Sequence, residues 1–135
     1  MSVLDHKVKE SQSGSAHSVV VFLHGYRNPA HENAIADLAK DIGFTQVSTS
    51  AQASPLIKMI SRGRTAVVDA YLSPILRSYI DRISAALDGG RGQDTELLFM
   101  QSSGGLADGA HFTGRNAVLS GPAGGVVGAV RTAKA

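Results

Sequence analysis

The chain has 135 residues, enough for one domain with a core of its own and too few for two. Its 43% apolar and 18% charged residues are ordinary for a soluble globular protein, and a net charge of +2 without long basic runs argues against a nucleic-acid or membrane surface. The absence of cysteine excludes disulfides, thiolate nucleophiles and cysteine-based metal sites.

Met1 to Ser18 is polar and offers no apolar core of a signal peptide, and the apolar run Val19 to Leu23 is too short to cross a bilayer. The expectation is a soluble protein in the cytoplasm. The basic pairs Lys7-Val-Lys9 and Arg62-Gly-Arg64 read as solvated surface.

Residues 1–17 read as a flexible or short helical segment: Leu4 to Glu10 suits a brief helix, and Ser11 to Ser15 has linker composition. Residues 18–135 then read as one α/β unit. Ser18 to Leu23 is a continuous β-branched run, the pattern of a parallel strand buried on both faces. Asn28 to Ile42 predicts a helix with Pro29 in its first turn, an apolar face of Ala34, Ile35, Leu38, Ala39 and Ile42, and Gly43 as its stop. A strand from Thr45 to Ser48 completes a β-α-β unit with a right-handed crossover.

Ala51 to Arg64, with Pro55 and Gly63, reads as an irregular connection. The helical period returns from Thr65 to Leu87 through Val68, Leu72, Ile75, Tyr79, Ile83 and Leu87, with Pro74 expected to kink or divide it. Asp88 to Gln93 is a glycine-rich turn, Leu97 to Met100 a second buried-strand candidate, and Ser102 to Gly114 a loop. Ala117 to Leu119 reads as a strand entering a helix of small residues over Ser120 to Ala129.

Three local patterns bear on chemistry. Leu23-His24-Gly25 after a strand suits an oxyanion-hole loop, but no Gly-x-Ser-x-Gly elbow follows, so a hydrolase triad is set aside and His24 is read as a strand-end residue with a local hydrogen bond. Ala123 to Gly128 approaches the dinucleotide fingerprint without a following acidic residue, and no Gly-Lys pair exists for a phosphate loop. Close backbone packing at Gly124-Gly125 is the preferred reading, beside a helix start at Gly121-Pro122 with free N–H groups. Gln101 to Gly105 is a polar turn beyond a strand end, where open α/β sheets collect ligands. The histidines and Asp108 show no metal-ligand spacing.

Five segments in order resemble one family. Phe22-Leu-His-Gly-Tyr-Arg-Asn-Pro-Ala-His-Glu32, Val47-Ser48 with Pro55, Thr65-Ala-Val-Val-Asp-Ala-Tyr-Leu-Ser-Pro74, Leu98-Phe-Met-Gln-Ser-Ser-Gly-Gly-Leu106 and Val118-Leu-Ser-Gly-Pro-Ala-Gly-Gly-Val-Val-Gly-Ala129 resemble the hydantoinase A/5-oxoprolinase family. The resemblance implies part of a ribonuclease-H-like domain of the actin, sugar-kinase and heat-shock-ATPase kind, with parallel strands and crossover helices, ending in the helix that passes between two halves. It also implies ATP-dependent opening of cyclic amides such as 5-oxoproline or hydantoins, or ketone carboxylation in relatives, with ATP and Mg²⁺ as cofactors of the intact enzyme. Ser103, Gly104, Gly105, Ser120, Gly121, Gly124 and Gly125 are the nucleotide-side residues so implied; no catalytic residue is assigned.

Neither Asp-x-Gly-Gly-Thr phosphate hairpin of that family occurs here, and Ser103 stands where its motif carries asparagine. The expectation is therefore an internal piece of such an enzyme, inactive alone and binding no cofactor tightly, partnered by the remainder of the enzyme or by itself. The alternative is a non-catalytic assembly subunit that pairs with a chain carrying the phosphate loops.

Overall fold

The parallel pair expected from the sequence is present. In the computed structural model, which describes residues 17–88 and 97–135, β1 (His17–Val20) lies parallel to β2 (Gln46–Thr49), with His17 opposite Gln46 and Val20 opposite Thr49. Helix α1 (Ala30–Asp41) connects them, so the β-α-β reading holds. The expected helix at 4–10, the linker at 11–15 and most of the turn at 88–93 lie outside the described residues.

The chain divides into two compact units, Met1–Tyr71 and Leu72–Ala135. In the first unit, α1 ends where the sequence places its stop. Gly43 has φ +105°, its N–H donates to Lys40 O, and the Phe44 N–H donates to Ala39 O. Those two bonds make a Schellman cap, and a left-handed φ favours glycine there. Pro29 occupies the N-cap position instead of the first turn.

Several expectations about burial fail. β1 ends at Val20, and Phe22 and Leu23 are exposed, so the run is not buried on both faces. The inward face of α1 is Glu32, Ala36 and Ala39, whereas Ile35, Leu38 and Ile42 are exposed. At 100° per residue the true face lies roughly a quarter turn from the apolar stripe. Small side chains let the helix lie close to the strands, and Glu32 faces inward because polar groups await it there.

The presumed irregular stretch after β2 is ordered. Thr49 caps the one-turn helix α2 (Ser50–Ala53), its Oγ1 accepting from the Gln52 N–H at 3.4 Å. Helix α3 (Met59–Asp88) starts six residues before the expected Thr65 and runs through Pro74 as one element, so Pro74 does not divide it. In the first unit its buried side is Arg62, Ala66, Asp69 and Ala70, while Ile60, Val67, Val68 and Tyr71 are exposed. The Ser48 hydroxyl donates to Asp69 Oδ2 at 2.8 Å and accepts from Gln46 Nε2 at 3.0 Å, tying β2 to that side.

In the second unit, α3 supplies Ser73 and Ile80 as its buried positions, while the expected core residues Ile75 and Tyr79 are exposed. β3 (Leu98–Met100) and β4 (Leu106–Asp108) form an antiparallel hairpin. The second strand candidate, expected to be buried in a domain of parallel strands, is therefore partly exposed and antiparallel. Phe112 is buried and stacks on Phe99 with centroids 5.2 Å apart. Residues 117–119 form no strand: α4 (Gly114–Ala117) leads through a turn into α5 (Ser120–Ala133). Among the described residues no helix is long and apolar enough to cross a membrane.

Candidate functional site

The loop 101–105 joins β3 to β4 and is closed by backbone bonds from Gln101 N–H to Gly105 O at 2.8 Å and from Gly104 N–H to Gln101 O at 2.9 Å. Gly104 holds φ +85°, a conformation a side chain would strain. Ser102 then ties this loop to the start of α5. Its N–H and its hydroxyl both donate to Asn116 O at 2.7 Å, and its Oγ accepts from the Leu119 N–H at 2.9 Å.

The two glycine-bearing segments singled out by the sequence thus meet. A Cβ on Gly104 would lie 3.3 Å from Val127 Cγ2, and one on Gly124 would lie 3.6 Å from Met100 Cγ. Ser103 is exposed, its hydroxyl donating to Gln101 Oε1 at 3.3 Å, and Ser120 donates to Ala117 O at 2.9 Å. Gly105 is exposed on the loop. Gly121 and Gly125, one turn apart on α5, have nothing within 4 Å of a built Cβ. A Cβ on Gly124 would make only ordinary van der Waals contact and one on Gly125 would meet open space, so the close packing expected of this pair requires glycine at neither position. Ser102, which the sequence reading passed over, holds the pieces in place.

An open glycine edge at a helix start that no side chain caps suits an approaching phosphate or nucleotide. Among the described residues, no three His, Asp or Glu side chains come together as a metal site.

In the first unit, the carboxyl ends of the parallel strands are filled by protein. Glu32, Ser50 and Arg62 are all 0% exposed there. Glu32 Oε1 accepts from the Phe22 N–H at 2.8 Å and the Ser50 hydroxyl at 2.6 Å, and Oε2 accepts from the Ala51 N–H at 2.8 Å. The Arg62 Nε donates to Ser50 Oγ at 3.1 Å, and its two other nitrogens reach Leu56 O, Ile57 O, Phe22 O and Leu23 O at 2.6–3.3 Å. Its guanidinium lies 5.5 Å from the Tyr26 ring centroid.

Burial pushes the Glu32 carboxyl upward, but the bonds from Ser50, Phe22 and Ala51 and the charge of Arg62 outweigh it, leaving its pKa below the ordinary value. A Cβ on Gly25 would collide with that carboxyl, so the loop after β1 can wrap it only with glycine there. Arg62, read from the sequence as solvated, is the anchor of this cluster. The signal that marks it is its register: Arg62, Ala66 and Asp69 fall on one helical side. His24 is exposed, its ring against Tyr26 at 6.3 Å and its carbonyl accepting from the Arg27 and Asn28 N–H groups.

Comparison with known proteins finds a match to the hydantoinase/oxoprolinase family over residues 62–135. The chain is 47% identical over 116 residues to the 5-oxoprolinase of Saccharomyces cerevisiae, covering 86% of this chain and 9% of that protein. Among solved structures, the ATP-dependent caprolactamase of Pseudomonas jessenii matches with TM-score 0.72 and 32% identity, over 89% of this chain and 18% of that one. The nucleotide-free acetone carboxylase, from work on ATP-dependent acetone carboxylation, matches with TM-score 0.75 and 26% identity, over 96% and 19% of the two chains.

Proposed function

Because the chain belongs to the hydantoinase/oxoprolinase family, we propose that it supplies one nucleotide-side segment of an ATP-dependent cyclic amide hydrolase and turns over no substrate alone. The observation that carries the reading is the meeting of the 101–105 loop with α5, which leaves Gly121 and Gly125 open. In this reading Ser103, Gly104, Gly105, Ser120, Gly121, Gly124 and Gly125 form the wall along which ATP lies, and α5 crosses between two ribonuclease-H-like halves. The chain spans about 9% of the length of the curated relative quoted above, and it carries no Asp-x-Gly-Gly-Thr hairpin. Phosphoryl transfer depends on groups that position the phosphates and offset their charge, so a chain without them lacks the means.

The test is a chimera. Residues 18–135 replace the matching segment of the yeast 5-oxoprolinase, and ATP-dependent opening of 5-oxoproline is measured beside the chain alone. The chimera is expected to work and the chain alone to show no turnover. A folded but inactive chimera overturns the equivalence, and authentic turnover by the isolated chain overturns the dependence. A second reading, an assembly subunit, draws on the exposed Ile60, Val67 and Tyr71 stripe of α3, an apolar surface suited to another chain.

A further inference from the structure

The second unit contains a cavity of about 550 Å³ between α3 and the β4–α4 loop, within the size range of small-molecule sites. We propose that it binds a small zwitterion of the α-amino-acid kind. The proposal is independent of the nucleotide reading and uses none of its residues.

Arg77 and Asp81 line the cavity from successive turns of α3. Opposite charges at that spacing ordinarily pair. Among the described residues, however, the ion pairs are Lys40–Asp37 and His111–Asp108, so neither Arg77 nor Asp81 is neutralised. Asp108, also on the wall, is already engaged by His111 Nδ1 at 2.8 Å. One guanidinium and one carboxylate are thus left for a ligand.

Thr113 adds a second observation. It stands at the N-cap of α4, where threonine ordinarily caps through its hydroxyl, yet it makes no cap bond. Its Oγ1 is buried with no hydrogen-bond partner, while the residue lines the cavity. A buried polar atom without a partner is costly, and a ligand would satisfy it. Ile80 and Phe112, 7% and 8% exposed, supply an apolar floor.

These groups select among ligand classes. An inorganic anion attracted by Arg77 meets the carboxylates of Asp81 and Asp108. A simple cation drawn by those carboxylates meets Arg77. A molecule with both a carboxylate and an ammonium group satisfies Arg77 and Asp81 together, and an apolar side chain lies on Ile80 and Phe112.

The experiment is an amide-resolved NMR titration of the full chain with L-leucine, with 3-methylbutylamine and 4-methylpentanoate as its single-charge analogues, and with inorganic phosphate. L-Leucine is expected to give saturable shifts confined to residues 73–84 and 108–114. Each analogue and phosphate should bind at least about tenfold more weakly, the scale of one lost charge-assisted hydrogen bond. Arg77→Ala and Asp81→Ala, both at exposed positions, should each weaken L-leucine by a similar factor without disturbing other resonances. Thr113→Val should weaken it as well. No saturation by L-leucine on the order of 50 mM, equal binding of either analogue or of phosphate, or unchanged binding by the Arg77 and Asp81 variants would each overturn the proposal.

Discussion

Replacing Arg62 with alanine removes five hydrogen bonds at once, to Ser50 Oγ and to the carbonyls of Leu56, Ile57, Phe22 and Leu23. It also removes a positive charge that adds, after the bonds from Ser50, Phe22 and Ala51, to keeping the pKa of the fully buried Glu32 below its ordinary value. The Glu32 carboxylate keeps its bonds from Ser50, Phe22 and Ala51, but the carbonyls of Leu56, Ile57, Phe22 and Leu23 lose the guanidinium. Each buried acceptor left without its donor costs ~1–3 kcal/mol, so losing the set together costs on the order of 3–5 kcal/mol, a large part of the ~5–15 kcal/mol that holds a domain together. Lysine keeps the charge but loses the planar fork, so Arg62→Lys is expected to lose about half as much. Urea unfolding followed by circular dichroism reads both, and the lysine variant supplies the measurement if alanine prevents folding. An Arg62→Ala chain within ~0.5 kcal/mol of the parent would refute the claim that this cluster anchors the first unit.

Glu32 gives a pH prediction whose sign follows from its lowered pKa: its contribution is complete above the unfolded carboxyl value near ~4.3 and disappears as pH falls through the lower folded value. Acid unfolding of Glu32→Gln should therefore lack that part of the slope, and an identical slope would contradict it. Gly125→Ala, at an open helical position, should raise stability by up to ~1 kcal/mol, whereas Gly104→Ala at φ +85° should lower it by ~1–2 kcal/mol; thermal melts that rank the two in the opposite order would be inconsistent with the site described. The isolated chain should self-associate, because β1 and β2 form a two-stranded sheet with open edges and Val126 and Val130 of α5 are exposed. Sedimentation showing a soluble monomer at high concentration would count against that.

The sequence was legible wherever one residue type has one structural use. Gly43 ends α1 because only a left-handed residue completes that cap, and the apolar run before Gly25 gives β1. It misled where a breaker was accommodated. Gly63 reads as a stop, yet α3 runs through it, and a Cβ there would stand 3.6 Å from Val21. Pro74 removes one backbone bond but leaves the helix a single element. The β3–β4 hairpin was within reach, since Gly104-Gly105 between two short apolar runs is a hairpin signal. The supposed strand at 117–119 shows the opposite error: three residues carry no period, and the Ser102 bonds to Asn116 and Leu119 settle the conformation from a distance in sequence. Ser102 itself looked like one polar residue among several in a turn.

The deeper miss is which helix faces point inward, and its cause bears on function. Hydrophobic periodicity identifies the face that some apolar environment covers, without saying whether that environment lies in the same chain. In the first unit, α3 turns Arg62, Ala66 and Asp69 toward its own strands, and Ile60, Val67 and Tyr71 lie on the opposite face. The inner face works through hydrogen bonds: Arg62 joins the loops beyond β1 and β2, and Asp69 receives Ser48. Five of the eight buried hydrophobic residues among those described are alanine, so little of the larger apolar surface is covered internally. A helix that is polar toward its own strands and apolar away from them has the pattern of a middle layer. That pattern leaves the apolar stripe of Ile60, Val67 and Tyr71 uncovered by the described residues of the first unit.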